Sequence, residues 1–200
     1  MKKQVVVIHG GDTFDTYEEY LLFLKTFEAD IEYFKGSKDW KGSLSEELGD
    51  GYEVIRPIMP NKINAKYLEW KIWFEKLTPF LSDGVILIGH SLGGTFLAKF
   101  LSENKFSKKV RATFLIAPPH DGIDLKESLA DFILPVSLKM FEEQGGAISI
   151  YHSIDDPVVP YADFEKYKEA VPSAQAFTFD GRAHFKQETF PELIRAIQAL

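Results

Sequence analysis

The chain has 200 residues, 45% of them hydrophobic, which is enough to bury the core of one domain. Its formal net charge of −7 is spread along the chain, which disfavours electrostatic capture of nucleic acid. The absence of cysteine excludes disulfides, thiolate catalysis and cysteine-based metal sites. Because there is no linker, low-complexity run or internal repeat, we expect a single domain over residues 1–200.

The apolar runs of the sequence are all short. The N-terminal segment, MKKQVVVIHGG, has two lysines before an apolar run that is far shorter than the hydrophobic region of a signal peptide. No other run is long enough to span a bilayer. We therefore expect a cytoplasmic protein that does not enter a membrane.

The first quarter of the chain contains a strand and two helical segments. A β-branched apolar run over residues 4–9 predicts the first strand, which ends in a His-Gly-Gly-Asp turn. Segment 14–36 has aromatic and leucine residues at helical spacing and is predicted to be a helical insertion. It is either a flap that walls the site or ordinary core packing, and the aromatic spacing favours core packing. Ser43 and Glu46 have the spacing of a capping box and predict a short helix that stops at Gly49.

The rest of the chain alternates strands with helices. Apolar runs predict five more strands, over residues 52–58, 85–88, 110–117, 147–152 and 174–179. Helical periodicity predicts helices over residues 66–81, 161–170 and 191–200, another directly after the third strand, and two short pieces within 125–143. This alternation indicates an α/β fold: a three-layer sandwich with a mainly parallel sheet of about six strands.

The turn after the third strand carries the main functional signal. It reads GHSLGG, so Ser91 stands at the bend, with Gly89 and Gly93 on either side. In a Gly-x-Ser-x-Gly nucleophile elbow the serine backbone is strained, and a Cβ at either glycine would collide with neighbouring elements. The elbow raises the Ser91 hydroxyl above the sheet and aims the N–H of Leu92 toward a developing oxyanion. The motif alone is weak, but its strand-turn-helix context favours a catalytic serine over a plain turn.

A nucleophilic serine needs a histidine base within hydrogen-bond reach. Three of the five histidines are set aside because they lie beside the serine, in the first loop or inside the fifth strand: His90, His9 and His152. His120 and His184 remain. His184 follows the sixth strand, at the carboxyl end of the sheet, where a loop can lay its imidazole over the elbow. It is the predicted base.

The acid that orients the base is predicted in SIDDPVVP, the segment after the fifth strand. Asp156 is held by the rigid turn that Pro157 and Pro160 make, and it can face His184 from the next strand end. Asp155 is the alternative, and its ordinary role would be that of a turn or capping aspartate. The pattern favours Asp156.

The first turn offers a second oxyanion donor. It lies at the carboxyl end of a parallel strand, where ligands bind in open α/β sheets. The N–H of Gly11, just after His-Gly, is the best candidate. Two glycines after a strand can also serve only the turn, so both interpretations of Gly11 stay open. His9 is interpreted as a residue that orients this loop.

Three motifs, GHSLGG, SIDDPVVP and AHF, occur in the chain order Ser91, Asp156, His184 and resemble the α/β-hydrolase superfamily. The short length and the lack of a large cap make the chain most similar to the retinoblastoma-binding protein 9 family of small serine hydrolases. The resemblance implies that Ser91 is the nucleophile, His184 the base and then the acid, and Asp156 its partner. It also implies an oxyanion hole made by the N–H groups of Leu92 and Gly11. The extra chain at 14–36 and the HGGD turn, in place of HGGG, depart from the pattern.

The predicted activity is hydrolysis of carboxylic esters through an acyl-serine intermediate, on short or modest acyl groups because the site has no large cap. Thioesterases, amidases and acyltransferases share this chemistry and stay open as alternatives, as does a non-catalytic protein that keeps the fold and binds other proteins. The expected partner is a small ester-like molecule. No cofactor or metal is expected, because the histidines lack metal-ligand spacing.

Overall fold

The computed structural model describes residues 2–35, 38–122 and 128–200, and its centre is one parallel sheet. The six strands are β1 (Lys3–Ile8), β2 (Tyr52–Ile55), β3 (Val85–His90), β4 (Val110–Ile116), β5 (Ala147–Ser153) and β6 (Gln175–Phe179). They lie in the order β2-β1-β3-β4-β5-β6, and every neighbouring pair is parallel. The predicted α/β-hydrolase fold with six strands is confirmed.

Helices cover both faces of the sheet. In the described part of the chain they are α1 (Tyr17–Thr26), α2 (Ile31–Lys35), α3 (Trp40–Leu48), α4 (Tyr67–Leu77), α5 (Leu92–Glu103), α6 (Lys139–Gln144), α7 (Tyr161–Ala170) and α8 (Pro191–Gln198). Buried side chains of α4, α5, α6 and α7 form one core with one face of the sheet. Buried side chains of α3 and α8 form a second core with the other face. These are the three layers that the alternating pattern predicts.

Strand β3 is buried along its whole length because it lies between the two cores. All six of its residues are buried. Val85 and Leu87 belong to one core, whereas Ile86 and Ile88 belong to the other. A strand covered on both faces needs apolar side chains at successive positions, which explains the uniform run in the sequence. The end of this strand is therefore fixed from both sides.

Prolines shorten two of the predicted elements. Strand β2 ends at Ile55, shortly before Pro57, and not at residue 58. Helix α4 ends at Leu77 and is followed by a 3-10 turn over Thr78–Phe80 that contains Pro79. Proline has no N–H to donate to a strand ladder or to a helix, so the regular element stops near it.

The capping box predicted at Ser43 and Glu46 is wrong. Helix α3 begins three residues before Ser43, and its N-cap is Asp39, whose carboxylate accepts a backbone N–H of the first turn. The helix is already capped by Asp39, and Ser43 falls inside its first turn. A capping box is present instead at the start of α1, between Thr16 and Glu19.

Segment 14–36 forms α1 and α2 on the outside of the molecule. Core packing is the wrong interpretation of α1, since none of its residues is buried. Leu22 of α1 is 61% exposed and Phe34 of α2 is 74% exposed. Gly36 lies outside the described residues, as do residues 125–127 of the segment predicted to hold two short helical pieces. The described remainder of that segment contains a 3-10 turn, Ala130–Phe132, and helix α6.

Candidate active site

Ser91 stands in the tight turn that joins β3 to α5. Its backbone has φ 55° and ψ −129°, a left-handed φ that is strained for a residue with a Cβ. The conformation is held on one side by a hydrogen bond from its N–H to the carbonyl oxygen of Ile116, at 2.8 Å. On the other side its carbonyl accepts the N–H of Gly94, also at 2.8 Å, as the N-cap of α5. The turn is thus fixed between the buried strand and the buried helix.

The two flanking glycines are required by close backbone approach. A Cβ at Gly89 would lie 2.4 Å from the carbonyl oxygen of Gly93. A Cβ at Gly93 would lie 2.3 Å from the carbonyl oxygen of Ile8, at the end of β1. Both distances are far below van der Waals contact, and the opposing atoms are backbone, so neither site can relax easily. Helix α5 can therefore approach the sheet only with glycine at both positions.

Replacing Gly93 by alanine is expected to destabilise the protein by about 2–4 kcal/mol, because the new methyl group overlaps backbone oxygen atoms. Gly51 is the matched control, since a Cβ there would meet nothing within 4 Å. Urea unfolding of the two alanine variants measures the difference. Equal stability of the Gly93→Ala and Gly51→Ala proteins would contradict this account of the turn.

The loop after β1 passes directly beside Ser91. A Cβ at Gly10 would lie 2.9 Å from Ser91 Cβ and 3.4 Å from Ser91 Oγ. A Cβ at Gly11 would lie 3.5 Å from Leu92 Cδ2 and 2.6 Å from the carbonyl oxygen of Lys62. Among the residues that the structure describes, neither the Gly11 N–H nor the Leu92 N–H has a hydrogen-bond acceptor. The N–H groups of Gly11 and Leu92 are therefore two unused hydrogen-bond donors, on two segments that meet at the Ser91 turn.

His184 and Asp156 form a buried pair. Nδ1 of His184 lies 2.7 Å from Oδ2 of Asp156, and the two side chains are 7% and 0% exposed. A carboxylate only accepts, so Nδ1 carries the proton and donates it. The other oxygen of Asp156 accepts the N–H groups of Val158 and Val159, at 2.8 and 3.0 Å. These bonds fix the carboxylate, and in the neutral imidazole the tautomer it selects has its free lone pair on Nε2.

Ser91 Oγ makes no hydrogen bond to a described residue in this structure, so the serine and His184 are not in direct hydrogen-bond contact. Such contacts are often long in unliganded active sites and shorten when substrate binds. The His184 ring does pack against the residue that precedes the serine. The imidazole of His90, which directly precedes Ser91, lies with its centroid 4.9 Å from that of His184.

Asp155 has a different set of partners from Asp156. Its carboxylate accepts the Ser153 hydroxyl and the N–H groups of Gly181 and Ala183, the latter two at 3.0 and 3.2 Å. The hydrogen bond from Ser153 is the main reason that the pKa of Asp155 lies below its usual value. Asp155 therefore acts like a capping aspartate: it binds the backbone of the loop that carries His184 and makes no hydrogen bond to the imidazole.

The remaining histidines are held in structural contacts. Burial lowers the pKa of each below its usual value, for His9, His120 and His152 alike. Nε2 of His9 accepts the N–H of Met59 at 2.9 Å, which ties the loop after β1 to the loop after β2. Nε2 of His152 donates to the carbonyl oxygen of Val159 at 3.0 Å. The His120 ring packs edge-on against Tyr167.

Trp40 supports the His184 loop through contacts that the sequence pattern does not indicate. Its indole Nε1 donates to the carbonyl oxygen of Phe185 at 2.9 Å, and its backbone N–H donates to that of Gln187 at 2.8 Å. Trp40 is buried, with 1% of its surface exposed. Because it lies 145 residues from Phe185 along the chain, no local motif links the two.

Comparison with known proteins identifies the class. The chain belongs to the serine hydrolase family, whose model matches residues 34–191. It is 23% identical over 165 residues to serine hydrolase RBBP9 of Rattus norvegicus, a match that covers 80% of this chain and 86% of that protein. The predicted resemblance to small α/β-hydrolases of this kind is confirmed, and the protein is a hydrolase.

Solved structures share the fold. The ydeN gene product of B. subtilis has a TM-score of 0.74 and 18% identity, over 99% of this chain and 98% of that chain. An esterase domain from a Rhodothermus marinus protein has a TM-score of 0.62 and 16% identity, over 98% of this chain and 85% of that chain. At these identities the similarity establishes the α/β-hydrolase architecture.

Within residues 2–35, 38–122 and 128–200, no helix has the length and apolarity needed to cross a bilayer. In the same part of the chain, His, Asp and Glu residues do not gather into a group of three or more that could hold a metal ion.

Proposed function

We propose that this hydrolase cleaves carboxylic esters through an acyl-serine intermediate, with Ser91 as nucleophile, His184 as base and Asp156 as its orienting partner. One observation carries the proposal: the buried hydrogen bond of 2.7 Å between His184 Nδ1 and Asp156 Oδ2, in a chain whose strand-to-helix turn holds a serine with a left-handed φ of 55°. A free serine hydroxyl is a poor nucleophile at neutral pH. A histidine oriented in this way supplies the base it needs.

The proposed reaction has two half-reactions. In the first, Ser91 Oγ attacks the ester carbonyl and its proton moves to Nε2 of His184. The carbonyl oxygen becomes an oxyanion, which accepts the N–H groups of Leu92 and Gly11. His184 then gives the proton to the leaving alcohol as the acyl-serine forms. In the second, His184 takes a proton from water, the hydroxide attacks the acyl-serine, and the proton returns to Ser91 as the acid leaves.

Asp156 holds the imidazole in the tautomer that this cycle needs. Its carboxylate accepts a hydrogen bond from Nδ1–H, so the neutral ring keeps its free lone pair on Nε2, the atom that takes the serine proton in this cycle. When Nε2 is protonated during the reaction, the carboxylate stabilises the imidazolium without taking a proton itself. The hydrogen bonds from Val158 and Val159 keep Asp156 in place throughout.

We infer that residues 1–200 form one domain and that segment 14–36 is a helical insertion in it. Apolar residues of this segment, Phe14, Leu22 and Phe23, line a cleft of about 370 Å³ together with Thr13 and the acidic residues Asp15 and Glu19. Thr13 follows closely on Gly11 in the loop beside Ser91. The proposal of short or modest acyl groups rests on the lack of a large cap, and the ester preference agrees with the similarity to the Rhodothermus marinus esterase domain.

The proposal is tested by incubating the protein with a fluorophosphonate and measuring its intact mass and then its peptides. We expect one adduct, on the peptide that contains Ser91. Turnover of p-nitrophenyl acetate should exceed that of the matched anilide and thioester. An adduct at another residue would contradict the assignment of Ser91. Faster turnover of the anilide or the thioester would change the proposed substrate class from esters to amides or thioesters.

Asp156→Asn is expected to lower kcat by about 10⁴-fold, because the amide can donate to Nδ1 and so favours the wrong tautomer of His184. Asp155→Asn is the matched comparison. Its amide oxygen can still accept the N–H groups of Gly181 and Ala183, so we expect a loss of at most about tenfold. Steady-state kinetics of both variants with p-nitrophenyl acetate measure the contrast. A larger loss for Asp155→Asn than for Asp156→Asn would reverse the assignment of the acid.

A further inference from the structure

The His90 side chain joins the Ser91 turn to the loop of His184. His90 is the last residue of β3 and directly precedes Ser91, and it is 5% exposed. Its Nε2 lies 2.9 Å from the carbonyl oxygen of His184. A carbonyl oxygen only accepts, so Nε2 is the donor. One side chain therefore connects the backbone of the nucleophile turn to the backbone of the residue that carries the base.

The other ring nitrogen of His90 fixes its tautomer. Nδ1 lies 3.4 Å from Nζ of Lys41. An ammonium group only donates, so Nδ1 accepts and the proton stays on Nε2. Lys41 is itself held by an ion pair with Asp39, and the two side chains are 15% and 17% exposed. Burial and then the Lys41 charge hold the pKa of His90 well below its usual value, so the ring stays neutral.

The loop that carries His184 needs such support. Ala183 and Phe185, on either side of His184, have φ of 44° and 50°. Non-glycine residues in this region cost about 1–3 kcal/mol each and persist only where surrounding contacts determine the backbone. The hydrogen bond from Trp40 Nε1 holds the carbonyl oxygen of Phe185. The hydrogen bond from His90 holds the carbonyl oxygen of His184, the one nearest to the imidazole.

We propose that His90 is a positioning residue: its hydrogen bond to the His184 carbonyl oxygen, with Lys41 fixing its tautomer, sets the distance between Ser91 Oγ and the His184 imidazole. This inference rests on the proposed function of Ser91 and His184. Proton transfer between two side chains depends steeply on their separation, and a misplacement of about 1 Å can cost about 100-fold in rate. His90 touches neither the proton that moves nor the substrate, so it acts through His184.

The test compares His90→Met with His90→Gln. Methionine fills a similar volume without a hydrogen bond, whereas the glutamine amide can donate to His184 and accept from Lys41. For His90→Met we expect kcat for p-nitrophenyl acetate, per site labelled by the fluorophosphonate, to fall about 10- to 100-fold with KM unchanged within about twofold. For His90→Gln we expect kcat to recover to within about fivefold of the parent protein.

Thr113→Val is the control for loss of a buried hydrogen bond. Thr113 Oγ1 donates to the carbonyl oxygen of Gly145 at 2.7 Å, in a buried contact away from the Ser91 turn. This variant should lower the melting temperature and leave kcat per labelled site unchanged. A His90→Met protein that behaves in the same way would overturn the positioning role. An unlabelled, inactive parent protein would instead overturn the proposed function, and the inference with it.

A measurement on the unmodified protein keeps the inference testable even where His90→Met does not fold. Two-bond ¹H–¹⁵N correlation of histidine-labelled protein at neutral pH reports the tautomer of each imidazole. We expect His90 to be neutral with its proton on Nε2. A proton on Nδ1, or a cationic ring, would overturn the proposal, since Lys41 could not then donate to Nδ1.

Discussion

Ser91→Ala is expected to lower kcat for p-nitrophenyl acetate by about 10⁴- to 10⁶-fold and to abolish labelling by a fluorophosphonate. The methyl group cannot form the acyl bond on which the mechanism depends. The residual rate would come from substrate binding and from the backbone N–H groups next to the turn. Stopped assays with purified variant, together with intact mass, measure both effects.

Ser102→Ala is the matched control for the loss of a serine hydroxyl. Ser102 lies in the same helix, α5, and its Oγ donates to the carbonyl oxygen of Ala98 at 2.7 Å. A hydroxyl that bonds back into its own helix contributes little to its stability. We expect this variant to keep the parental rate and the adduct. Parental turnover by Ser91→Ala would show that another group is the nucleophile.

His184→Ala is expected to lower kcat by a similar factor of about 10⁴ to 10⁶ and to slow labelling of Ser91 to the rate of an ordinary serine. Without the imidazole, Asp156 has no ring to orient and Ser91 loses the base that this carboxylate holds. If Ser91 and His184 act as a unit, the double variant should be hardly slower than either single variant. A double variant whose loss in kcat equals the product of the two single losses would contradict a shared mechanism.

His120→Ala distinguishes the two histidines that the sequence leaves as candidates. The His120 backbone N–H donates to Asp163 at 2.9 Å, and its ring packs on Tyr167. No hydrogen bond joins it to Asp156 in the described structure. We expect turnover within about fivefold of the parent protein. A loss as large as that of His184→Ala would move the role of base to His120.

Helix α1 shows what helical periodicity can predict and what it cannot. Aromatic and leucine residues at helical spacing predict a helix correctly in segment 14–36, but they do not tell which surface the helix faces. Core packing is the usual outcome for such residues, and here it is wrong because α1 has no buried residue. Whether an apolar face is buried depends on the elements that pack near it, and these lie far away in the sequence.

The capping residues of α3 show a similar limit. Ser43 and Glu46 fit the capping-box spacing, yet Asp39 caps the helix. Ser43 instead donates its hydroxyl to the carbonyl oxygen of Glu188, at 3.0 Å. Several polar residues near a helix start can serve as its cap, and the contact with a distant loop decides between them.

The layers, the six strands and the serine turn can be predicted from the sequence alone, because each depends on local spacing: runs of apolar residues, helical periodicity and a glycine on either side of Ser91. The sequence also singles out Asp156 and His184 as partners, since both follow strands whose carboxyl ends meet at one edge of the sheet. Their catalytic roles stay predictions, which the Asp156 and His184 variants test.

The hydrogen-bond partners of Asp156 and His184 become visible only in the folded chain. Asp156 accepts a hydrogen bond from the imidazole, whereas Asp155 accepts backbone N–H groups of the His184 loop, although the two aspartates are adjacent in sequence. His90 and Trp40 also form hydrogen bonds with the His184 loop, from which they are separated by 94 and 145 residues of chain. Such contacts depend on the orientation of single side chains in a packed core, and no local pattern in the sequence encodes that orientation.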